Sequence, residues 1–145
     1  MDLVLPDPED NEVRLGDLIS QNRVTMLNIW GISCGPCLSE IPYLARLREK
    51  YKDQGFEIIG LTADLFDETG NIDPELLEKA KAAAGELGVS YPVLVMTGDA
   101  LKQMKVIVVP TTCFVNSTGQ VIGKTIMGAR SEEQWERLIR DALEK

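Results

Sequence analysis

Two cysteines separated by two residues, Cys34 and Cys37, are the side chains in this sequence whose type and spacing indicate chemistry. The run before them, residues 24–30, is β-branched and aromatic as in a buried strand, and a helical pattern follows them. We therefore expect Cys34 at the start of a helix, where unpaired backbone N–H groups and the helix dipole stabilise a thiolate. A thiolate attacks disulfides, and Cys37, one helical turn further on, is placed to resolve the mixed disulfide. The pair predicts dithiol–disulfide exchange.

Gly35 and Pro36 separate the two cysteines, and Pro36 stiffens the small ring because it fixes φ and removes a backbone donor. Half of a structural zinc site is the first alternative. Such a site needs four ligands, but the chain has no histidine and one further cysteine, Cys113. A silent buried pair is the second alternative, and Gly-Pro suits it poorly. We expect no metal and no organic cofactor, because the redox group is the cysteine pair itself.

The composition excludes several other kinds of chemistry. The 145 residues include no histidine, which removes imidazole general bases and Ser-His-Asp triads. With 15 basic and 23 acidic residues, the net charge of −8 does not suit the wrapping of nucleic acid or binding to an anionic membrane surface. No apolar run approaches the roughly 18 residues that span a bilayer, and the beginning at Met1 lacks signal-peptide features. We expect one soluble domain over residues 1–145, and a leader or anchor trimmed from the chain is compatible with this.

The elements that must position the cysteines follow from hydrophobic periodicity. An early β-hairpin is predicted within residues 3–15, and the residues 106–109 are assigned to a loop because Pro110 follows them. Strand, helix, strand, helix indicates an α/β chain with a parallel component. Further strands are predicted at 24–30, 56–61, 93–96, 112–115 and 120–123. The first long helix is predicted from the cysteines to about 53, with a kink at Pro42. Further helices are predicted at 74–88, at 98–105 and after a capping box of Ser131 and Gln134.

The segment from Asn28 to Cys37, Asn-Ile-Trp-Gly-Ile-Ser-Cys-Gly-Pro-Cys, followed by Glu-Ile-Pro at 40–42, resembles the active-site signature of thioredoxin-like proteins. The nearer resemblance is to the TlpA/ResA-type branch of thiol-disulfide oxidoreductases. The early hairpin, the helix near 74–88, Tyr-Pro-Val at 91–93 and Val-Pro-Thr-Thr at 109–112 extend it over nearly the whole chain. It implies a thioredoxin fold, with a central mixed β-sheet flanked by helices on both faces, an N-terminal β-hairpin and an inserted helix.

The resemblance also assigns supporting residues. It implies that Pro110 follows a cis peptide bond and packs against the active-site sulfurs, and that Val109 offers backbone groups to an extended substrate segment. A cis bond before proline is accessible at about 0.5–1 kcal/mol, and a plain turn proline is the alternative. Trp30 is expected to support the active-site loop. Ser33 stands where the family usually has an aromatic residue, which reduces the apolar docking surface.

Asn28 is a departure from thioredoxins proper, which carry a buried aspartate at this position. Water or another carboxylate must therefore accept the proton of Cys37. Asp64, just after the second buried strand, is our candidate, because ResA-like proteins place an acidic residue near the cysteines there. A solvated loop acid or a helix cap is the alternative for Asp64.

Three further residues are given structural roles. Cys113 lies in a strand expected to be central, where a free cysteine packs as a small hydrophobe. Trp135 is expected in the core beneath the last helix. Glu40 is expected to cap or orient the first turn of the helix that follows the cysteines.

The resemblance implies exchange of dithiols and disulfides with protein substrates, in the reducing direction, by a monomer. It further implies an extracytoplasmic domain, fed by a membrane thiol donor or reductase, that acts on apocytochrome c cysteines. A cytosolic general thioredoxin served by a flavoprotein reductase is the alternative for the compartment. A thiol peroxidase and a non-catalytic binding module are the alternatives for the activity. The peroxidase requires Thr and Pro upstream of its cysteine, which Ile32 and Ser33 do not supply.

Overall fold

A mixed five-stranded sheet forms the centre of the chain in a computed structural model that describes residues 3–145. Met1 and Asp2, and with them the beginning of the chain considered above, lie outside the described residues. The strands are β1 (Val4–Pro6), β2 (Glu12–Arg14), β3 (Val24–Trp30), β4 (Phe56–Thr62), β5 (Val93–Val95), β6 (Thr111–Asn116) and β7 (Val121–Met127). The helices are α1 (Leu15–Ile19), α2 (Gly35–Tyr51), α3 (Pro74–Glu86), α4 (Gly98–Gln103) and α5 (Glu132–Leu143).

Strand β3 lies in the middle of the sheet, whose order is β5-β4-β3-β6-β7. It pairs in parallel with β4 and antiparallel with β6, and all seven of its residues are buried. A strand covered on both faces and paired on both edges needs apolar residues at successive positions, which is the pattern that the sequence carries. The strands β1 and β2 form a separate antiparallel hairpin.

Helices cover both faces of the sheet. Met26, Ile58 and Phe114 point from one face into a cluster with the apolar residues of α2 and α5. Leu27 and Ile59 point from the other face, where the hairpin, α1 and α4 pack. Because side chains alternate along a strand, neighbouring residues of β3 enter different clusters. The two clusters hold the strand-to-helix junction after β3 in a fixed position.

The predicted elements agree with the structure except near the ends of the chain. Strand β7 continues to Met127, well beyond the predicted end at Gly123, because Gly123 adopts a φ of +71° and the register with β6 shifts there, so the strand passes through the glycine. Helix α1 begins at Leu15, which the sequence pattern placed in an extended segment. Its N-cap residue Arg14 makes no side-chain capping bond, so no capping signal marks this start.

Candidate active site

The junction between β3 and α2 positions the cysteine pair. Strand β3 ends at Trp30, and Cys34 is the N-cap residue of α2, with extended backbone angles. Pro36 occupies the first turn of the helix, where its missing N–H costs no helical hydrogen bond. The backbone N–H of Cys37 donates to Cys34 Sγ over 3.2 Å, so the first sulfur receives a donor from the first turn. This is the location at which a helix stabilises a thiolate.

Cys34 and Cys37 form a disulfide whose Cα atoms lie 5.3 Å apart. Cys34 is half-buried, whereas the exposed fraction of Cys37 is 0%. Gly35 and Pro36 between them are exposed. A second protein can therefore reach the sulfur of Cys34, and the sulfur of Cys37 is accessible only from within the protein.

The loop before β6 forms one wall beside the disulfide. The peptide bond between Val109 and Pro110 is cis, and the carbonyl oxygen of Val109 lies 3.7 Å from Cys34 Sγ. Pro110 is buried, and its carbonyl oxygen accepts a hydrogen bond of 2.8 Å from the N–H of Gly128. Thr111 Oγ1 donates to the carbonyl oxygen of Val108 over 2.6 Å. Backbone of the loop is thus presented directly to the reactive sulfur.

Asp64 forms the opposite wall. Its two carboxylate oxygens accept hydrogen bonds from the backbone N–H groups of Ile32 and Ser33, at 3.0 and 3.1 Å. A Cβ atom at Gly31 would lie 2.7 Å from Asp64 Oδ2, so glycine permits this close approach. The carboxylate is half-buried and holds the loop before Cys34 through these hydrogen bonds, which gives it a positioning role. The proton transfer expected of it from sequence stays a prediction.

Glu40 is the buried acid of the site, with an exposed fraction of 0%. Its Oε2 accepts hydrogen bonds from Trp135 Nε1 at 2.9 Å and from the N–H of Arg130 at 3.2 Å, and its Oε1 faces Asn28 Nδ2 at 3.4 Å. Burial raises the pKa of Glu40, and the three donors oppose this increase only in part. Since Glu40 follows Cys37 by three residues on α2, both side chains lie on the buried face of the helix.

The expectation that Glu40 caps the first helical turn is wrong, whereas its hydrogen bonds do orient α2 against β3 and α5. Its partners are Asn28 on β3, Trp135 on α5 and the segment before α5, and none belongs to the first turn of α2. The signal that could have revealed this is its position on the face shared with Cys37, Ile41 and Leu44, which the periodicity of α2 already marked as buried.

The remaining residues have supporting positions. Trp30, 2% exposed, packs with Cys37 and Ile41, and its Nε1 lies 3.2 Å from where a Cβ of Gly60 would be. Cys113 is buried on the sheet face that carries Leu27 and Ile59, in a cluster that does not include Cys37. Burial raises the pKa of Cys113 to about 11. Trp135 is fully buried, as expected.

Over residues 3–145, no group of three or more acidic or cysteine side chains is arranged to hold a metal ion. In the same part of the chain, no helix has the length and hydropathy to cross a bilayer.

Disulfide exchange with a protein requires one accessible sulfur and one shielded sulfur within bonding distance, and the start of α2 supplies both. On a sheet of this order, with a cis-proline loop facing the accessible sulfur, the arrangement defines the class of thioredoxin-like thiol-disulfide oxidoreductases.

Comparison with known proteins specifies the family. The Redoxin family profile matches residues 2–139, and the chain belongs to this family. It is 32% identical over 138 residues to the thiol-disulfide oxidoreductase ResA of Bacillus thuringiensis subsp. konkukian, and 29% identical over 140 residues to ResA of Halalkalibacterium halodurans. These alignments cover 94% and 96% of this chain and 72% of each relative.

A solved structure supports the same assignment to the thiol-disulfide oxidoreductases. The crystal structure of a thiol:disulfide interchange protein, DsbE, from Chlorobium tepidum superposes with a TM-score of 0.78 at 25% identity, over 99% of this chain and 94% of that one. The TlpA/ResA-type resemblance, the thioredoxin fold and the oxidoreductase activity predicted from the sequence are thereby confirmed. The protein is a thiol-disulfide oxidoreductase whose substrates are protein thiols and disulfides.

Proposed function

We propose that this chain reduces protein disulfides, with Cys34 as the attacking residue and Cys37 as the resolving residue. The observation that carries the proposal is the difference between the two sulfurs, one half-buried beside Val109 and the other fully buried. Gly-Pro between the cysteines, a feature that resembles reducing members of the class, supports the direction.

The proposed reaction balances as follows. The Cys34 thiolate attacks one sulfur of a substrate disulfide, forms a mixed disulfide and releases the other substrate sulfur as a thiolate, which takes up a proton. Cys37 then loses its proton and attacks Cys34 Sγ, which releases the second substrate thiol. Two electrons and two protons pass to the substrate, and Cys34 and Cys37 end as a disulfide.

The supporting residues hold the two sulfurs and the surfaces around them in position. Gly35 and Pro36 keep the ring between the cysteines short, Pro110 closes the wall beside Cys34, and the backbone of Val109 binds the substrate segment. In a second group, Trp30 packs beneath the disulfide and Asp64 holds the loop that leads to Cys34. None of these steps uses a metal or an organic cofactor.

Glu40 is the group that we propose to accept the proton of Cys37. It follows Cys37 by one helical turn on the buried face of α2, and burial raises its pKa, which makes the carboxylate a stronger base. Asn28 Nδ2 and Trp135 Nε1 hold the carboxylate in place. Both residues are fully buried, so an acceptor one helical turn away supplies a route for the proton that bulk water at Cys37 does not.

For the cellular setting, we propose an extracytoplasmic domain that receives electrons from a membrane thiol donor and delivers them to substrates that include apocytochrome c cysteines. The similarity to the TlpA/ResA-type branch supports this setting. The oligomeric state that we propose is the monomer, and nucleic acid is not a partner because of the net charge of −8.

The test is a redox titration followed by turnover. Equilibration with thiol–disulfide buffers should give one reversible two-electron couple, and the reduced protein should reduce insulin disulfides in stoichiometric amount. Absence of a reversible couple would support the binding module. Rapid peroxide consumption would support the peroxidase, and rapid turnover with NADPH and a flavoprotein thioredoxin reductase would support the cytosolic alternative.

A further inference from the structure

Exposed apolar side chains lie next to the cis-proline loop that faces Cys34. Five large hydrophobic side chains are exposed within residues 3–145, and three of them flank the cis-proline loop: Ile107 at 80%, Met127 at 56% and Val108 at 46%. Single exposed apolar residues are ordinary on protein surfaces, whereas a group beside a reactive sulfur indicates an interaction surface. We call Ile107, Val108 and Met127 the apolar ridge.

Contacts of the backbone place the ridge at the site. Val108 precedes Val109, whose carbonyl oxygen lies 3.7 Å from Cys34 Sγ. Met127 pairs with Thr111 across β6 and β7, and the next residue, Gly128, donates to the carbonyl oxygen of Pro110. The ridge therefore borders the wall that faces the accessible sulfur.

The charge around the ridge has the opposite sign to the charge of the whole chain. Residues 100–131 contain four basic residues and no acidic residue, although the net charge of the chain is −8. The four are Lys102, Lys105, Lys124 and Arg130. Lys105 begins the loop that leads to Pro110, and Arg130 Nη1 donates to the carbonyl oxygens of Met127 and Ala129. These two cations thus stand at the two ends of the ridge.

The other side of the disulfide carries the reverse charge. Residues 63–78 contain six acidic residues and no basic residue. Asp64, the first of them, binds the backbone of Ile32 and Ser33 on the approach to Cys34. Cys34 consequently lies between an acidic segment and a basic segment, and a charged substrate meets different potentials on its two sides.

We infer that the ridge binds an extended segment of the substrate protein that has an apolar side chain next to its reacting cysteine and acidic side chains toward Lys105 and Arg130. This inference rests on the proposed function and names its substrate class. Complementary charge at the rim of an interface raises the association rate and fixes orientation more than it raises affinity. A second copy of this chain is a poorer occupant, because two basic ridges repel each other.

The test compares two short peptides that differ only in charge. Each has a central cysteine, capped as a mixed disulfide with 2-mercaptoethanol and preceded by leucine, with two glutamates in one peptide and two lysines in the other. The reduced protein converts each to the peptide thiol and 2-mercaptoethanol, and rates are divided by those for dithiothreitol to remove intrinsic reactivity. We expect the glutamate peptide to react about 5-fold faster in about 20 mM salt and less than about 2-fold faster in about 0.5 M salt.

Substitution of the basic residues tests whether they cause the preference for the glutamate peptide. Lys102→Gln combined with Lys105→Asn should reduce the preference for the glutamate peptide at low salt by about half. Asparagine is chosen because Lys105 has a φ of +56°, which asparagine tolerates. The matched control, Lys79→Gln, removes an exposed cation from α3 and should leave the preference unchanged.

The apolar contribution is tested in the same way. Ile107→Ser should raise the half-saturating concentration of the glutamate peptide about 3-fold or more, because the leucine loses its apolar contact. Val4→Ser removes a 45% exposed apolar side chain from β1, outside the ridge, and should not.

Several results would overturn the inference. Equal normalised rates for the two peptides, or a preference for the lysine peptide, would exclude the charge assignment. A dimer that dissociates in the Ile107 variant would make a second copy the occupant. If bis(2-hydroxyethyl) disulfide is reduced while the peptides show no preference, only this inference fails; if it is not reduced either, the proposed function fails.

Discussion

Cys34 and Cys37 differ in exposure although they are chemically identical and only three positions apart in the sequence. The exposure follows from the helix: the N-cap residue lies at the surface, and the residue one turn later faces the core. The order of attack is therefore set by position, and it can be examined by removing one sulfur at a time.

Replacing either cysteine with serine should have different consequences. Cys34→Ser should lower disulfide reduction by about 1000-fold or more, since a hydroxyl group is a weak nucleophile. Cys37→Ser should still attack and accumulate as a mixed disulfide with substrate, which mass spectrometry or a nonreducing gel detects. Cys113→Ser is the control and should behave as the wild type. Equal trapping by both variants would show that the assignment of the two roles is reversed.

Glu40 should make stability depend on pH. Its folded-state pKa lies above the ordinary value of 4.5, so its contribution is fully present below that value and is lost as pH rises through the folded-state pKa. Relative to Glu40→Gln, the wild type should lose free energy of unfolding over this interval, with a slope of at most about 1.4 kcal/mol per pH unit. Chemical denaturation of both oxidised proteins at a series of pH values measures the difference. A difference independent of pH would contradict a raised pKa.

Asp64 should affect the rate of exchange through the loop before Cys34. Asp64→Asn retains one acceptor and directs an NH2 group at a backbone N–H, which removes about 1–2 kcal/mol of local stabilisation. We expect the rate of Cys34 alkylation in the reduced protein to change by about 5-fold or more. Asp67→Asn is a suitable comparison, because Asp67 also accepts backbone N–H bonds but in the turn 67–71, and it should leave this rate unaltered.

The individual site residues were predictable to different extents. Cys34 and Cys37 follow from spacing, because a CxxC pair at a strand–helix junction has few other uses in a chain without histidine. Asp64 was identified as a member of the site, but its partners are backbone N–H groups, which no side-chain pattern reveals. The role of Glu40 depends on Trp135 and Arg130, which are 95 and 90 residues away in sequence, and a local pattern cannot contain that information.

Helix α5 contributes both to the stability of the fold and to the site, because the indole N–H of its Trp135 donates a hydrogen bond to Glu40. Ser131 and Gln134 form a capping box at its start, with the N–H of Gln134 donating to Ser131 Oγ at 3.2 Å and the N–H of Ser131 donating to Gln134 Oε1 at 3.0 Å. The sequence predicted both the capping box and the apolar face of this helix.

Ser131→Ala should therefore lower the free energy of unfolding by about 1 kcal/mol. Thermal or urea denaturation of the oxidised protein measures this change. Ser117→Ala, in the exposed turn between β6 and β7, should change it by less than about 0.5 kcal/mol. Similar losses in both variants would mean that the capping box contributes nothing.

Elements were predictable where local signals and burial agree. Strand β3 is buried at every position and has its predicted bounds. Helix α3 begins at Pro74 after the N-cap Asp73, as predicted, and ends at Glu86, two residues before the predicted end. The later part of β7 was missed because the strand lies at the edge of the sheet and five of its seven residues are exposed, which leaves no alternation to detect. Residues 106–109 have strand propensity, but Pro110 prevents a ladder, and they form the loop that was predicted.

At the scale of the whole molecule, Cys113 reports on opening of the core. It is 7% exposed, and a pKa near 11 leaves little thiolate at neutral pH. In the oxidised protein at about pH 8, labelling by an aromatic disulfide reagent should be at least about 100-fold slower than for a free cysteine, and denaturant should release one reactive thiol. Fast labelling of the native protein would show that the sheet opens locally at β6.

The cysteines and the loop that faces them come from distant parts of the chain: the cysteines precede β4, and the Val109–Pro110 loop follows β5, 75 residues from Cys34. Strand β6, which pairs with β3, follows later still. While the ribosome is still synthesising residues 60–110, a nascent chain consequently bears both thiols and an open edge of β3, whose residues are all buried in the folded protein, without the loop that faces Cys34. The substrate-facing wall of the site is therefore completed only when the final third of the polypeptide has emerged.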